Sequence, residues 1–422
     1  MSPDFDARLR ALAEVLVRIG VNLQPKQSLL ITEPYELHGV HPEAGPLVEA
    51  VRTAAAGHEV TAILADPARL RALVEADDRR GFEGLVCGHI RRLELHRANG
   101  GAFLFLQGSQ PQLLAGLPAE RLAAFDRIKW RHLGPFIQRL VGGAAQWTLA
   151  PAPSMAWADA AYADLPAAKR LPALWRTVFE ALRVGLALDA VLSSARGLST
   201  SDSPTFEPVV LWSTHLAALA RRRDELNAAR HRRISYTGPG TDLTLDLPRS
   251  HVWCTAQLVS RAGVPFVANL PTEEVFTAPH KNSAHGTLRI ARPVVHGGAV
   301  IEGIELEFRR GRVVAAKART GQDVLQHLLA TDDGAGRIGE VAIVPAFMEG
   351  PSPDGPGPVG DRPYPWQSSG RLFHHTLLDE NSTHHIALGE AYRFCSRALF
   401  PLALNRSQVH LDLPLDATVE LS

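Results

Sequence analysis

The amino-acid sequence predicts an α/β fold, with an N-terminal parallel-sheet α/β domain over residues 1–232 and a mixed α+β domain over residues 233–422. Three observations predict it. The length of 422 residues exceeds what one ordinary hydrophobic core organises. Short apolar runs alternate with helical patterns in the first half, as in parallel sheets. After about residue 232, alternating strands separated by turns take over, which indicates antiparallel sheets.

The N-terminal half carries the strand–helix–strand order of a parallel sheet. Its predicted elements are a helix over residues 5–19, a strand over 28–32, a helix over 46–56, a strand over 60–64, a strand over 102–106 and a helix over 171–184. Gly20, Gly57 and Gly185 follow the three helices, where glycine commonly ends a helix.

The C-terminal half begins with turn residues followed by the alternating Leu243, Leu245 and Leu247, which predict an amphipathic strand. Further predicted elements are a hairpin over residues 300–318, a helix over 323–329 and a buried strand over 341–344. Residues 348–370 are dense in proline and glycine, so we expect a long surface loop there without regular structure. We interpret this loop as an ornament or an oligomer contact.

Composition excludes several classes of protein. Lys+Arg and Asp+Glu are both 44, which argues against a basic nucleic-acid surface. No run approaches the roughly 18 apolar residues of a membrane span. The N-terminus is acidic where a signal peptide would be basic, so we expect a cytoplasmic protein. Three scattered cysteines without CxxC spacing predict neither a disulfide framework nor a thiolate zinc site.

Reactive side chains concentrate near the C-terminus. If a helix begins just before His385, then His385 and Tyr392 share one of its faces, two turns apart. If the segment around residue 411 is a strand, His410 and Asp412 point to the same side. These groups can therefore converge on one site.

Further carboxylates can join that site. Glu273 and Glu274 are adjacent, so we expect only one of them to point inward, and Glu340 begins an apolar strand. One of the adjacent pair together with Glu340, Glu380, His385, His410 and Asp412 makes three Glu, two His and one Asp. Such a set suits two divalent ions that share a bridging carboxylate and a water. Tyr392 can donate a hydrogen bond to a developing oxyanion.

The ordered motifs resemble the aminopeptidase T family, dinuclear metallo-aminopeptidases also called thermophilic or leucyl aminopeptidases. The residues that carry the resemblance are Leu270-Pro-Thr-Glu-Glu-Val-Phe-Thr-Ala-Pro279, Gly339-Glu-Val-Ala-Ile-Val344, Asp379-Glu-Asn381, His385-Ile-Ala-Leu-Gly389 with Tyr392, and Asn405-Arg-Ser407 with Val409-His-Leu-Asp412. The resemblance spans nearly the whole chain.

The resemblance implies removal of N-terminal amino acids from peptides by a cytoplasmic homodimer that uses zinc, cobalt, manganese or magnesium. It implies two metal ions per chain, and its metal ligands fall on Glu274, Glu340, Glu380, His385, His410 and Asp412. Glu340 matches the bridging ligand and, with Tyr392, is expected to be catalytic. The expected fold is an α/β N-terminal domain followed by a C-terminal domain that holds both metals.

Two alternatives remain open. A mononuclear iron ring-cleaving dioxygenase on the same scaffold would need only two histidines and one carboxylate, which His385, His410 and Asp412 can supply. The other three acids argue against it, because a single iron has no use for them.

The second alternative is a non-catalytic metal-binding relative. The chain stops at Ser422, ten residues past Asp412, where family members usually continue through further strands. The proline- and glycine-rich stretch before Glu380 is also longer than the family leads us to expect. We therefore expect the wall next to the metals to be altered.

Overall fold

The computed structural model describes residues 3–108, 110, 113–185, 208–296, 299–345 and 364–422. These residues form two compact units. The first contains residues 3–185, 208–214 and 256–271, and the second contains 215–255 and 272–422, apart from residues outside the description. Residues 256–271 thus pack with the first unit, which a single boundary at residue 232 does not describe.

Strands and helices follow the expected order. The strands are β1 (Leu29–Thr32), β2 (Val60–Ala62), β3 (Ala102–Gln107), β4 (Trp147–Pro151), β5 (Arg233–Gly238), β6 (Thr241–Asp246), β7 (Gln257–Val259), β8 (Pro265–Val267), β9 (Val275–Thr277), β10 (His285–Ile290), β11 (Val294–His296), β12 (Ala299–Ile301), β13 (Ile304–Arg309), β14 (Arg312–Lys317), β15 (Ile338–Ile343), β16 (His385–Gly389), β17 (His410–Pro414) and β18 (Thr418–Leu421). The helices are α1 (Pro3–Val15), α2 (Gly45–Ala54), α3 (Pro67–Glu75), α4 (Arg79–Ala98), α5 (Ala119–Val141), α6 (Met155–Ala161), α7 (Ala167–Ala181), α8 (Pro208–Ala229), α9 (Gln322–Leu329), α10 (Pro365–Ser368) and α11 (Thr376–Glu380).

The first unit is built on a parallel sheet in the order β2-β1-β3-β4, which confirms the predicted parallel α/β architecture. All six residues of β3 are buried, as expected for a strand covered on both faces. Gly20 is the last residue of the π-helical turn Leu16–Gly20, which continues α1. A Cβ there would lie 2.8 Å from Thr148 Oγ1, so this close approach to β4 requires glycine.

The second unit contains two larger antiparallel sheets, with strand orders β14-β13-β10-β6-β5-β18 and β17-β16-β15-β9. Leu243, Leu245 and Leu247 are all buried, which confirms the predicted alternation. The predicted hairpin turns between β13 and β14 at Arg310 and Gly311, which have φ of 51° and 77°. Two successive positive φ values are typical of a type I′ hairpin turn.

The structure corrects two local expectations. Residues 385–389 form strand β16 rather than a helix. Most of the predicted proline- and glycine-rich loop, residues 346–363, lies outside the described residues, but its end contains the short helix α10. Among the described residues, every helix is too short or too polar to cross a lipid bilayer.

Candidate metal centre

One face of the sheet β17-β16-β15-β9 carries the candidate ligands. Glu340 on β15 pairs with Ala387 of β16, and Ala387 pairs with Asp412 of β17. Paired residues of an antiparallel sheet point to the same side, so Glu340 and Asp412 flank Ala387. His410 lies two residues before Asp412 on the same strand and shares that side, as predicted.

His385 and Glu274 join the same face. His385 pairs with Ala342, which lies two residues after Glu340 and therefore points the same way. Ala342 also pairs with Phe276, two residues after Glu274. The alternation thus brings Glu274, immediately before β9, to the face that holds the other ligands.

The two faces of this sheet differ sharply in chemistry. The opposite face is apolar and joins the hydrophobic core of the second unit through Val275, Val341, Ile343, Ile386, Leu388, Leu411 and Leu413. On the ligand face, the neighbours of the charged side chains include the small residues Ala342, Ala387 and Gly389 as well as Phe276. Small side chains leave space above the sheet for a bound group.

The distances within the cluster are short. His385 Nε2 lies 3.1 Å from Glu274 Oε2 and 4.0 Å from Glu340 Oε1. His410 Nε2 lies 3.7 Å from Glu340 Oε2 and 3.4 Å from Asp412 Oδ1. Glu340 therefore stands between the two histidines, with one carboxylate oxygen towards each.

Glu380 reaches the cluster from α11. Its carboxyl group hydrogen-bonds to Asp412 and is buried. Asn381 Nδ2 donates to Glu380 Oε1 at 3.3 Å and to the carbonyl oxygen of Leu377 at 2.9 Å. Asn381 Oδ1 accepts from the backbone N–H of Glu273 at 2.7 Å. Asn381 thus joins the end of α11 to the segment that carries Glu274.

Crowding of carboxylates raises the pKa of several of them. Burial, with the charge of Asp412, raises the pKa of Glu274 to about 8. Burial, with the charge of Glu274, raises the pKa of Glu340 to about 8. Burial and the neighbouring carboxylates also raise the pKa of Glu380. Below about pH 8 and without a cation, Glu274 and Glu340 therefore hold protons that a cation would displace.

His410 and Asp412 form the charged pair of the cluster. Burial opposes the charged forms of both, but their mutual attraction outweighs it. The pKa of His410 rises to about 10, and that of Asp412 falls to about 2. Between about pH 2 and pH 8, Asp412 is therefore a carboxylate while Glu274 and Glu340 hold protons.

Tyr392 lies just after β16 and begins the 3-10 turn Arg393–Cys395. It does not share a helix face with His385, because that segment is a strand. Its ring centroid is 5.5 Å from that of His410, and it stacks on Phe394 at 5.2 Å. The ring of Phe276 meets it edge-on at 5.8 Å. Tyr392 thus borders the cluster.

The cluster fits a divalent cation. One ligand atom each from Glu274, Glu340 and His385 can be chosen so that all three lie within 4.8 Å of one another. Glu274 Oε2 and Glu340 Oε2 are buried and accept no hydrogen bond from the described residues. Buried carboxylate oxygens of this kind are stabilised when they coordinate a metal, and mixed imidazole and carboxylate donors suit zinc, cobalt or manganese.

Residues 5–419 match the family described as thermophilic metalloprotease (M29). The chain belongs to the M29 metalloprotease family. Membership confirms the resemblance drawn from the sequence motifs and makes the protein a hydrolase of peptide bonds that depends on a divalent metal.

Relatives of known name span almost the same length. The chain is 31% identical to aminopeptidase T from Thermus thermophilus and 30% identical to aminopeptidase AmpS from Bacillus subtilis. Each comparison covers 97% of this chain and 92% of the relative. The solved structure of wild-type AmpT from Thermus thermophilus superposes with a TM-score of 0.78 at 30% identity, covering 99% of this chain and 98% of that one. This likeness confirms the predicted fold class.

Glu273 and Glu274 depart from the expectation that only one of them would point inward. Both are buried. Glu274 faces His385, whereas Glu273 Oε2 lies 3.5 Å from Nε2 of His215. The alternation of the chain therefore sends one acid to the cluster and the other to a separate buried histidine.

Sequence reasoning missed the positioning role of Asn381. Its side chain is fully buried and links Glu380 to the segment of Glu273 and Glu274, which are more than 100 residues away in the chain. Its place beside Glu380 in the motif was the available signal. The small residues Ala387 and Gly389 were missed as well, because only strand pairing shows that they lie beside the ligands.

Proposed function

We propose that this M29 protein is an aminopeptidase that holds two divalent ions on Glu274, Glu340, Glu380, His385, His410 and Asp412. The observation that carries the proposal is the central position of Glu340. Its two carboxylate oxygens are directed to His385 on one side and His410 on the other. A carboxylate between two imidazoles is the arrangement that a ligand shared by two ions requires.

The composition of the cluster favours two ions over one. Three glutamates and one aspartate offset the charge of two dications, whereas a single iron of the oxygenase type needs one carboxylate and two histidines. When bound, two divalent ions would polarise the scissile carbonyl and lower the pKa of a water molecule. Zinc, cobalt, manganese or magnesium is expected in these positions.

The chain's own residues supply the remaining chemistry. The carboxylate of Glu340 or Glu380 accepts a proton from the attacking water and delivers it to the leaving amine. Tyr392, at the border of the cluster, donates a hydrogen bond to the oxyanion that develops at the scissile carbonyl. Carboxylate oxygens of the cluster that do not coordinate an ion bind the substrate's α-ammonium group. This contact limits cleavage to N-terminal residues.

Metal content measured together with hydrolysis of aminoacyl-p-nitroanilides tests the proposal. We expect two divalent ions per chain and release of p-nitroaniline from a leucyl substrate. Glu340→Gln should lower kcat by about 100-fold or more, because it removes the carboxylate that carries the proton. Glu305→Gln, at an exposed position of β13, is the matched control and should keep full activity.

Three results would contradict the proposal. One iron per chain would favour the dioxygenase alternative. Two ions without hydrolysis of any aminoacyl substrate would favour a non-catalytic relative. Unchanged activity of Glu340→Gln would remove this residue from the mechanism.

We further propose that the enzyme acts on peptides in the cytoplasm as a homodimer. The support is its similarity to the named aminopeptidases over nearly the whole chain. Light scattering after size-exclusion chromatography should give twice the mass of 45.7 kDa for one chain. A monomeric mass at micromolar concentration would contradict the homodimer.

A further inference from the structure

Two cysteines far apart in the chain meet beside the metal cluster. The sulfur atoms of Cys254 and Cys395 are 3.9 Å apart, and the Cys395 thiol donates to the Cys254 sulfur. Cys395 is buried at 1% exposure, whereas Cys254 is partly exposed. Cys254 is thus the more exposed residue of the pair.

Backbone hydrogen bonds hold both thiols in place. The N–H of Cys254 donates to the carbonyl oxygen of Phe276 at 2.8 Å, and the N–H of Phe276 donates back at 3.0 Å. The N–H of Cys395 donates to the carbonyl oxygen of Tyr392 at 3.0 Å. Its own carbonyl oxygen accepts from Val252 at 2.9 Å. The short distance between the sulfurs is thus built into the pairing of two segments.

We propose that Cys254 and Cys395 form a redox modification site, which a peroxide converts reversibly into an intramolecular disulfide. In the first step the Cys254 thiolate attacks the peroxide, so that the O–O bond breaks, hydroxide leaves and Cys254 becomes a sulfenic acid. In the second step the Cys395 sulfur attacks the Cys254 sulfur. The S–S bond forms, the S–O bond breaks, and the oxygen leaves as water with the thiol proton. The peroxide takes two electrons from the pair.

The difference in environment sets the order of the two steps. Burial, the hydrogen bond to Cys254 and the nearby carboxylates raise the pKa of the Cys395 thiol. A thiol that rarely ionises reacts slowly with an oxidant, so the partly exposed Cys254 reacts first. To reach the S–S length of about 2.05 Å, the sulfurs must then approach by roughly 2 Å.

The proposed metal centre would respond to this approach, a consequence that rests on the proposed function. Cys395 ends the 3-10 turn that begins at Tyr392. Cys254 exchanges backbone hydrogen bonds with Phe276, which lies two residues after Glu274. Tyr392 packs between Phe276 and Phe394 next to His410. Closure of the disulfide therefore displaces side chains that line the cluster and should lower peptidase activity.

Thiol counting with mapping of the cross-linked peptides tests the site in the metal-loaded protein. Hydrogen peroxide should lower the free thiols from three to one per chain, and a phosphine reductant should restore all three. Mass spectrometry without reduction should show one peptide pair that joins Cys254 to Cys395. Cys87→Ser, in the first unit, is the matched control and should lose both remaining thiols in the same way.

The single variants separate this proposal from general oxidation. Cys254→Ser should keep both remaining thiols after the same peroxide treatment, because the buried Cys395 thiol reacts slowly. Cys395→Ser should lose the Cys254 thiol as a sulfenic acid, which dimedone labels, and should form no cross-link. Activity should fall and recover in the unmodified protein and in Cys87→Ser, but stay constant in Cys395→Ser. In the unmodified protein, disulfides through Cys87, or a sulfinic acid on Cys254 without a cross-link, would overturn the proposed site.

Even if a variant does not fold, mapping of cross-linked peptides in the unmodified protein shows whether Cys254 and Cys395 form a disulfide. A disulfide without any change in activity would overturn the coupling to Tyr392. A protein that shows no peptidase activity before oxidation would instead count against the proposed function, while the thiol count still tests the site.

Discussion

Asn381 connects segments of the proposed metal centre through three hydrogen bonds of one side chain, to the N–H of Glu273, the carboxylate of Glu380 and the carbonyl oxygen of Leu377. Asn381→Ala would leave the buried N–H and carbonyl oxygen without partners. The cost of such groups predicts a loss of stability of about 2–4 kcal/mol. Glu380 would also lose its fixed orientation, so we expect metal affinity to fall about 10-fold or more. Thermal denaturation and competition with a chelator measure the two effects.

Asn405→Ala is the matched control for this prediction. Asn405 is also buried, and its Nδ2 donates to the carbonyl oxygens of Gly334 and Gly389, but it does not contact a proposed ligand. We expect a similar loss of stability with much less change in metal affinity. If both variants lost metal equally, Asn381 would act through stability alone and the positioning role would be wrong.

Much of the candidate ligand set was visible at the level of single residues. Glu340 and Glu274 interrupt apolar segments, and His410 and Asp412 have the spacing of neighbours on one strand face. The contacts that connect these groups were not visible. The hydrogen bond between Asn381 and Glu273 spans more than 100 residues, and nothing in local sequence encodes which distant N–H an amide side chain will meet.

Strand β16 organises the centre because it lies between β15 and β17 and presents small residues on the ligand face. Ala387 pairs with Glu340 on one side and Asp412 on the other. In Ala387→Val, two added methyl groups would occupy space between these carboxylates. We expect weaker metal binding and lower kcat/KM, together with a loss of stability of about 1–3 kcal/mol, because the added methyl groups overpack a fully buried position. Metal titration and nitroanilide kinetics check this result.

Ile386→Val is the control on the same strand. Ile386 is buried in the hydrophobic core on the opposite face of the sheet. Removal of one methylene group should cost about 1 kcal/mol of stability and leave metal content unchanged. The reverse pattern, with metal lost in Ile386→Val and kept in Ala387→Val, would contradict the assignment of the two faces.

The sequence around β16 also explains the wrong prediction of a helix there. Residues 382–392 contain Ser and Thr where a helix could begin, and His385 and Tyr392 have helical spacing. The short segment is instead paired with β15 over residues 385–388 and with β17 over residues 385–389. Pairing of this kind overrides weak local propensity, and it depends on strands that lie far away in the chain.

At the level of the whole chain, the order of structural classes followed from periodicity alone. A parallel sheet comes first and antiparallel sheets follow, because helical patterns separate the early strands and turns separate the late ones. The return of residues 256–271 to the first unit could not be predicted. In this segment β7 and β8 are three residues each, and Phe266 and Ala268 join the core of the first unit. Short strands carry too little pattern to reveal which core they complete.

The metal centre should also govern how the stability of the protein depends on pH. Glu274 and Glu340 have an ordinary pKa near 4.5, which the metal-free folded state raises to about 8. Between these values the folded state binds more protons than the unfolded state, so stability falls as pH rises. His410 acts in the same direction. Its pKa is about 10 in the metal-free folded state instead of the ordinary 6.5, so the stability that protonated His410 contributes is lost as pH rises through about 10.

Chelation should therefore destabilise the protein most at alkaline pH. Bound cations replace the protons on the carboxylates and remove their mutual repulsion, so the metal-loaded protein should lack this loss of stability. We expect the difference in Tm between loaded and chelated protein to widen steadily from pH 6 to pH 9. Differential scanning calorimetry across this range measures the difference, and Glu340→Gln should reduce its slope because one titrating carboxyl group is gone. A difference that stayed constant or narrowed with rising pH would show that these carboxylates do not hold the metal.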